Sequence, residues 1–338
     1  MKFDYKWNLS DGYPLKGVKY HGTTVMSTFA CGGGSTMGYK LAGYEVVAAN
    51  DIDPQMAKVY KANHKPRQFF ECSIKDLLKR DDLPQVDVLD GSPPCSVFSM
   101  AGSREKAWQK DKMFREGQAK QILDDLFFDF VKLVEKMKPK IVIAENVKGM
   151  LIGNAKWYTQ EVVRQLKELG YKVKVFLLNA ATMGVPQKRQ RVFFIAYKIG
   201  KDINLKYSEP IIPFYKIEDN TDTKEVVNRA TRTYLGWKRS KPGQSFRNGI
   251  GDGGSMFGYT KLKRQLPIRS IVSSDGTYEW HDKYFRKLNK SELISASTFP
   301  EDYNYLDIKV KYLLGMSVPP VMMAQVAYQV YKQLIEVT

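Results

Sequence analysis

The chain has 338 residues, 43% of them hydrophobic, and carries 53 Lys plus Arg against 36 Asp plus Glu, a formal net charge of +17. Its length allows about two domains with a sizeable core, and its composition excludes a disordered or collagen-like chain. The opening MKFDYKWNLSDGYPLKG lacks an apolar h-region and no apolar run approaches a membrane span, so neither a secretory signal nor a membrane partner is expected.

The elements alternate along the chain. TTVMSTF (23–29) reads as a short strand running into the glycine-rich ACGGGSTMG, and TMGYKLAG as a helix. EVVAAND (45–51) is a second strand, and PQMAKVYKANH a helix with Pro54 in its first turn. VDVLD (86–90) is a third strand. Residues 118–138 place Ile122, Leu126, Phe130, Leu133, Val134 and Met137 at helical spacing. KIVIAEN (140–146) is a strand, WYTQEVVRQLKELG (157–170) a helix, and YKVKVFLLNA and RVFFIAYK are two more strands. Runs that are apolar on both faces predict an α/β fold: a mostly parallel, Rossmann-like sheet with helices on both faces. After residue 198 the chain becomes rich in glycine, basic and aromatic residues, without alternating α/β units. Residues 200–285 are therefore expected to form a small β/loop-rich domain. Residues 1–199 and 286–338 should form the other domain, to which the helix at 319–335 returns.

The chemistry-bearing residues cluster at strand ends. Three glycines between a strand and a helix let backbone N–H groups approach a ligand, and Asp51, ending the second strand, stands where such folds grip a ribose. A plain tight turn would give the same pattern. Cys95, in DGSPPCS, follows a strand and is stiffened by Pro93 and Pro94. A nucleophilic thiol suits that place, as does a buried structural cysteine. Glu145 and Asn146 end the next strand, and Glu145 could donate a proton to a ring nitrogen or simply hold a salt bridge. Gln187, Arg189 and Arg191 alternate, which suits phosphate or base contact as well as a solvated basic edge. The three cysteines (Cys31, Cys72, Cys95) and three histidines (His21, His64, His281) fit neither a disulfide framework, a metal site nor a Ser-His-Asp triad. A reducing, cytoplasmic setting and no metal are expected. The charge excess favours a nucleic-acid partner.

The order of these pieces resembles the cytosine-C5 DNA methyltransferase family of bacteria and phages. Its nucleophile motif is matched by GSPPCSVFSMAG, its Glu-Asn-Val motif by ENVKGM and its Gln-x-Arg-x-Arg motif by GVPQKRQRVFFIA. Its cofactor motif is matched by STFACGGGSTMGYKLAGYEVVAANDID, and its last two motifs by FRKLNKSELISASTFPEDY and LLGMSVPPVMMAQVA. The resemblance implies that Cys95 attacks C6 of a flipped cytosine, that Glu145 engages N3, and that Arg189 and Arg191 hold the cytosine oxygen and a phosphate. It implies Asn146, Gln187 and Ser99 as further substrate contacts. It places S-adenosyl-L-methionine on Phe29, Gly33, Gly34, Asp51, Ile52 and Pro93, with Leu126 nearby. Residues 200–285 would be the target-recognition domain. Double-stranded DNA would be the partner of a monomeric enzyme, with a cognate restriction endonuclease as a candidate second partner. The chain departs from the family at Cys31 (glycine), Ser73 (aspartate), Met316 (asparagine) and 295–297 (Arg-Leu-Gln). Three rivals are a tRNA-modifying branch of the same family, a catalytically silent DNA-binding protein on this fold, and a nucleotide-linked oxidoreductase.

Overall fold

The computed structural model describes residues 1–94, 126–153, 155–226, 231–250, 258–274 and 278–337, and the backbone of two short strands, Asp111–Lys112 and Gln121–Ile122. Cys95 and Ser99 lie outside the described residues.

A seven-stranded sheet is built from β1 (Thr24–Thr28), β2 (Glu45–Asn50), β3 (Gln68–Phe70), β4 (Val88–Gly91), β5 (Ile141–Val147), β6 (Lys172–Asn179) and β7 (Gln190–Tyr197). The strand order is β3-β2-β1-β4-β5-β7-β6. All neighbours are parallel except β7, which runs antiparallel to both β5 and β6. Successive residues of a strand face opposite sides, so a sheet covered twice needs continuous apolar runs. Val25, Val88, Ile143 and Phe193 enter one core cluster, and their neighbours Met26, Leu89, Val142 and Phe194 the other.

Helices α1 (Gly34–Leu41) and α2 (Pro54–His64) contribute to the first cluster, and α3 (Ile74–Leu77), α4 (Leu126–Met137) and α5 (Ala155–Glu168) to the second. Asp53 caps α2, its carboxylate accepting from the amides of Gln55 and Met56 at 2.9 and 3.2 Å ahead of a helix that opens on Pro54. Further on come α6 (Arg232–Arg239), α7 (Phe246–Ile250), α8 (Lys290–Ala296), α9 (Val310–Met316) and α10 (Pro320–Val330). The C-terminal α10 packs on α1 so closely that a Cβ on Gly38 would stand 2.4 Å from Met323 Cβ.

One expectation changes in detail. The helix anticipated over 118–138 starts at Leu126, and Gln121–Ile122 instead pairs antiparallel with Asp111–Lys112. Helical periodicity there was carried by residues that all lie from Leu126 onward, Ile122 excepted. Within 200–285, Ile203, Leu205, Phe214, Ile217, Leu262, Ile268 and Ile271 join the main core cluster. A separate aromatic cluster stands beyond them, made of Phe246, Trp280 and Phe285 with Tyr234, Trp237, Tyr259 and Tyr278 against it. No helix among the described residues is long and apolar enough to cross a membrane.

Candidate active site

The carboxyl ends of β1, β2, β4 and β5 converge at one edge of the sheet, where parallel α/β folds place their ligands. Three things meet there: the glycine loop, the Pro93–Pro94 lead-in and the Glu145–Asn146 pair.

The glycine loop is held from several sides. Phe29 and Cys31 have φ of +53° and +48°, and Gly33 has φ of +77°. A Cβ on Gly33 would lie 2.1 Å from His64 Nε2, and one on Gly34 would lie 2.1 Å from the Val318 carbonyl, so neither position accepts a side chain. The Asp51 carboxylate accepts from the amides of Cys31 (2.7 Å) and Asp53 (2.8 Å), tying the loop to the end of β2. Burial pushes Asp51 up to about 6 against those two hydrogen bonds. A small open cleft lies here, with Phe29, Asp51 and Ile52 among its lining residues. Ser92 and Pro94 line it, while Pro93 is buried behind them. Leu126 is buried at the start of α4.

The cleft also takes Cys31 and Met316, two of the motif departures, and three residues that motif reading missed: Asp53, Met56 and Tyr312. Tyr312 and Met316 come from α9, and their spacing of four along a helix was the one available signal. Met316, where the family pattern has asparagine, brings an apolar thioether to the wall. Cys31 is no thiolate, because burial pushes its thiol up to about 12.

His64 supports the loop from beneath. Its Nε2 lies 3.2 Å from the Gly32 carbonyl, to which the Tyr303 hydroxyl also donates at 2.6 Å. Burial pulls the imidazole down to about 3, so the folded protein keeps it neutral. Below the ordinary value of 6.5 the unfolded chain binds a proton that the folded protein refuses, and stability falls with pH until about 3. Between pH 6.5 and about pH 5 this should cost about 2 kcal/mol. Thermal unfolding midpoints across that range should show a shallower slope for His64→Gln than for the parent; equal slopes would contradict this.

The second half of the site is built on β4, β5 and β7. Gly91 pairs with Ala144, which sets Pro93 beside Asn146. Asn146 Nδ2 donates to the Pro93 carbonyl at 3.0 Å, and its Oδ1 accepts from the Val147 amide at 2.8 Å. Phe193 is registered with Glu145 across β7, and Arg191 with Val147. Arg191 Nε reaches Glu145 Oε1 at 2.8 Å, both side chains being largely buried. Burial opposes the Arg191 charge, and the Glu145 carboxylate offsets it. Asp90, at the end of β4, accepts from the Ser27 hydroxyl (2.7 Å) and the Tyr39 hydroxyl (3.1 Å), and burial pushes it up to about 7.

Gln187 and Arg189 do not join Arg191 on a basic face. Gln187 is 1% exposed, with its amide on the Ala296 carbonyl and the Ile271 amide at 3.1 and 3.0 Å. Arg189 is 2% exposed, and its guanidinium donates to three backbone carbonyls. The reason is positional: Gln187–Lys188 pairs with Ile268–Arg269 as a separate short ladder, which turns these side chains into the junction with the following segment. Arg264, within 200–285, is paired with Glu218, which His281 also contacts at 2.9 Å. Arg247 and Lys263 remain exposed.

The fold thus defines a mostly parallel α/β protein with its site at the strand ends. A family model described as C-5 cytosine-specific DNA methylase matches residues 23–332, and the chain belongs to that family, whose enzymes are DNA (cytosine-5-)-methyltransferases. The chain is 29% identical to the Type II methyltransferase M1.HphI of Haemophilus parahaemolyticus over 338 residues, 91% of this chain and 87% of that one. It is 26% identical to the Type II methyltransferase M.Bsp6I of Bacillus sp. (strain RFL6) over 345 residues, covering 92% and 99%. Among solved structures, a DNA modification methyltransferase encoded within a prophage (E. coli) superposes with TM-score 0.67 at 17% identity, covering 92% of this chain and 99% of that one. A variant of Spodoptera frugiperda DNMT2 gives TM-score 0.61 at 18% identity, covering 91% and 99%. At those identities the likeness concerns the fold.

Proposed function

We propose that the protein methylates C5 of a flipped-out cytosine in a short duplex DNA site, through a covalent bond from Cys95 to C6. The reading rests chiefly on the Asn146–Pro93 hydrogen bond of 3.0 Å. It fixes the lead-in to Cys95 against the strand that carries Glu145, beside Arg191. A nucleophile and the group that assists it need such fixed geometry.

In this mechanism the Cys95 thiolate bonds to C6 while Glu145 hydrogen-bonds or protonates N3, so that negative charge does not build up in the ring. Arg191 keeps Glu145 oriented and presents guanidinium N–H groups to the cytosine oxygen. The electron pair displaced to C5 forms the new carbon–methyl bond. A base then takes the C5 proton, and the returning electrons expel the thiolate. S-adenosyl-L-methionine would supply the methyl group as an electrophile, the electron pair of the broken sulfur–methyl bond staying on the sulfur of the departing S-adenosylhomocysteine. The residues that would hold it are Asp51 and Ile52 for a ribose, Phe29 as an apolar wall and the loop at Gly33 and Gly34, where a Cβ would meet His64 and Val318.

The unit around the aromatic cluster, within residues 200–285, would read the DNA sequence. Exposed Arg247 and Lys263 suit contacts to base edges or phosphates there. The Type II naming of the relatives supports a cognate restriction endonuclease as a partner. Bisulfite sequencing of DNA from expressing cells, with purified-protein assays on duplex DNA and tRNA beside it, tests the proposal. Protected cytosines at a short recurring sequence are expected; methylation of tRNA alone would refute it.

A further inference from the structure

Arg189 is a buried charge that the proposed chemistry leaves without a task. Nη1 donates to the Ile271 carbonyl at 2.9 Å, and Nη2 to the Gly315 and Ser317 carbonyls, each at 2.9 Å. A desolvated cation is costly unless its donors are satisfied, so an arginine kept here must secure something.

What it secures are two remote segments. Ile271 follows the short strand Ile268–Arg269 at the foot of the segment that carries the aromatic cluster. Gly315 and Ser317 flank Met316 at the end of α9, the helix whose Tyr312 and Met316 line the cleft. The two segments also pack directly: a Cβ on Gly315 would stand 2.3 Å from the Ser273 amide nitrogen. Two residues after Arg189, Arg191 meets Glu145. Gln187 adds a second tie, to Ile271 but not to α9.

We propose that Arg189 is a positioning residue. Its single guanidinium fastens the wall of the cofactor cleft and the base of the recognition unit to the start of β7, the strand from which Arg191 meets Glu145 of β5. Only arginine has a planar fork able to serve carbonyls from two directions; lysine's point charge satisfies one side at a time. The inference rests on the proposed function, since it takes the cleft to hold S-adenosyl-L-methionine.

The test uses the full chain with Arg189→Lys, Gln187→Met and Arg191→Lys. Parent activity on duplex DNA checks the proposed function by itself. Calorimetric titration with S-adenosylhomocysteine reads the cleft without turnover. Arg189→Lys should weaken that binding roughly 10- to 100-fold, the scale of lost hydrogen bonds to a buried charge, and raise the KM for duplex similarly. Its kcat at saturation should fall far less than these constants rise. Gln187→Met should raise the duplex KM while leaving S-adenosylhomocysteine affinity near that of the parent, whereas Arg191→Lys should act on kcat. A fall in kcat with unmoved binding constants in Arg189→Lys would make Arg189 a substrate contact and overturn the inference. Should Arg189→Lys fail to fold, an unmoved duplex KM in Gln187→Met overturns it equally.

Discussion

Cys95→Ala is expected to abolish methyl transfer, with a loss of at least about 10⁴-fold, the scale on which enzymes lose rate when a covalent nucleophile is removed. Cys31→Ala and Cys72→Ala should retain the chemistry. The structure gives a reason for this contrast. The Cys31 thiol is pushed up to about 12 by burial, and its Sγ lies against Met56 Sδ at 3.8 Å and the Ser317 hydroxyl at 3.7 Å. Cys72 is also raised by burial, and Asn50 Nδ2 donates to its carbonyl at 2.8 Å. Neither supplies a thiolate beside the Glu145–Arg191 pair. Cys31→Ala should weaken the cofactor somewhat, because Cys31 lines the cleft. Radiolabelled methyl transfer to duplex DNA separates the three variants, and activity retained by Cys95→Ala would refute the assignment.

Glu145→Gln should slow the covalent step roughly 100- to 10,000-fold, the contribution typical of a positioned acid. The amide keeps the shape of the carboxyl group but cannot deliver its proton to N3. It also leaves the Arg191 guanidinium, 2.8 Å away in the parent, without a counter-charge in a mostly buried place. Breaking such a pair is destabilising, so the unfolding midpoint should fall as well. Single-turnover kinetics at saturating duplex and cofactor distinguish the two effects, because loss of stability alone lowers the active fraction and not the rate constant. A rate constant within about threefold of the parent would remove Glu145 from the chemistry, given what a positioned acid contributes.

Some of this site was legible in the sequence because its determinants are local. A strand end, a glycine turn and a proline pair are each set by a few neighbouring residues, which is why Asp51, Glu145 and the Pro93–Pro94 lead-in were placed correctly relative to the sheet. Arg189 was not legible. Its partners are 82, 126 and 128 residues away in the chain, so no spacing rule distinguishes it from Arg191. Tyr312 escaped for the same reason: α9 reaches the cleft only through tertiary packing. Composition separated residues 200–285 from their surroundings but could not show that Ile203, Phe214 and Ile271 pack in the main core, since a buried isoleucine looks alike in either unit.

The covalent bond to C6 is the centre of the account, and it can be trapped. A duplex carrying 5-fluorocytosine at the target blocks release, because fluorine cannot leave as a cation. Incubated with that duplex and S-adenosyl-L-methionine, the parent protein should migrate with the DNA through denaturing electrophoresis, as should Cys72→Ala, while Cys95→Ala should run free. An adduct that persists in Cys95→Ala, or one that forms only on RNA, would contradict it.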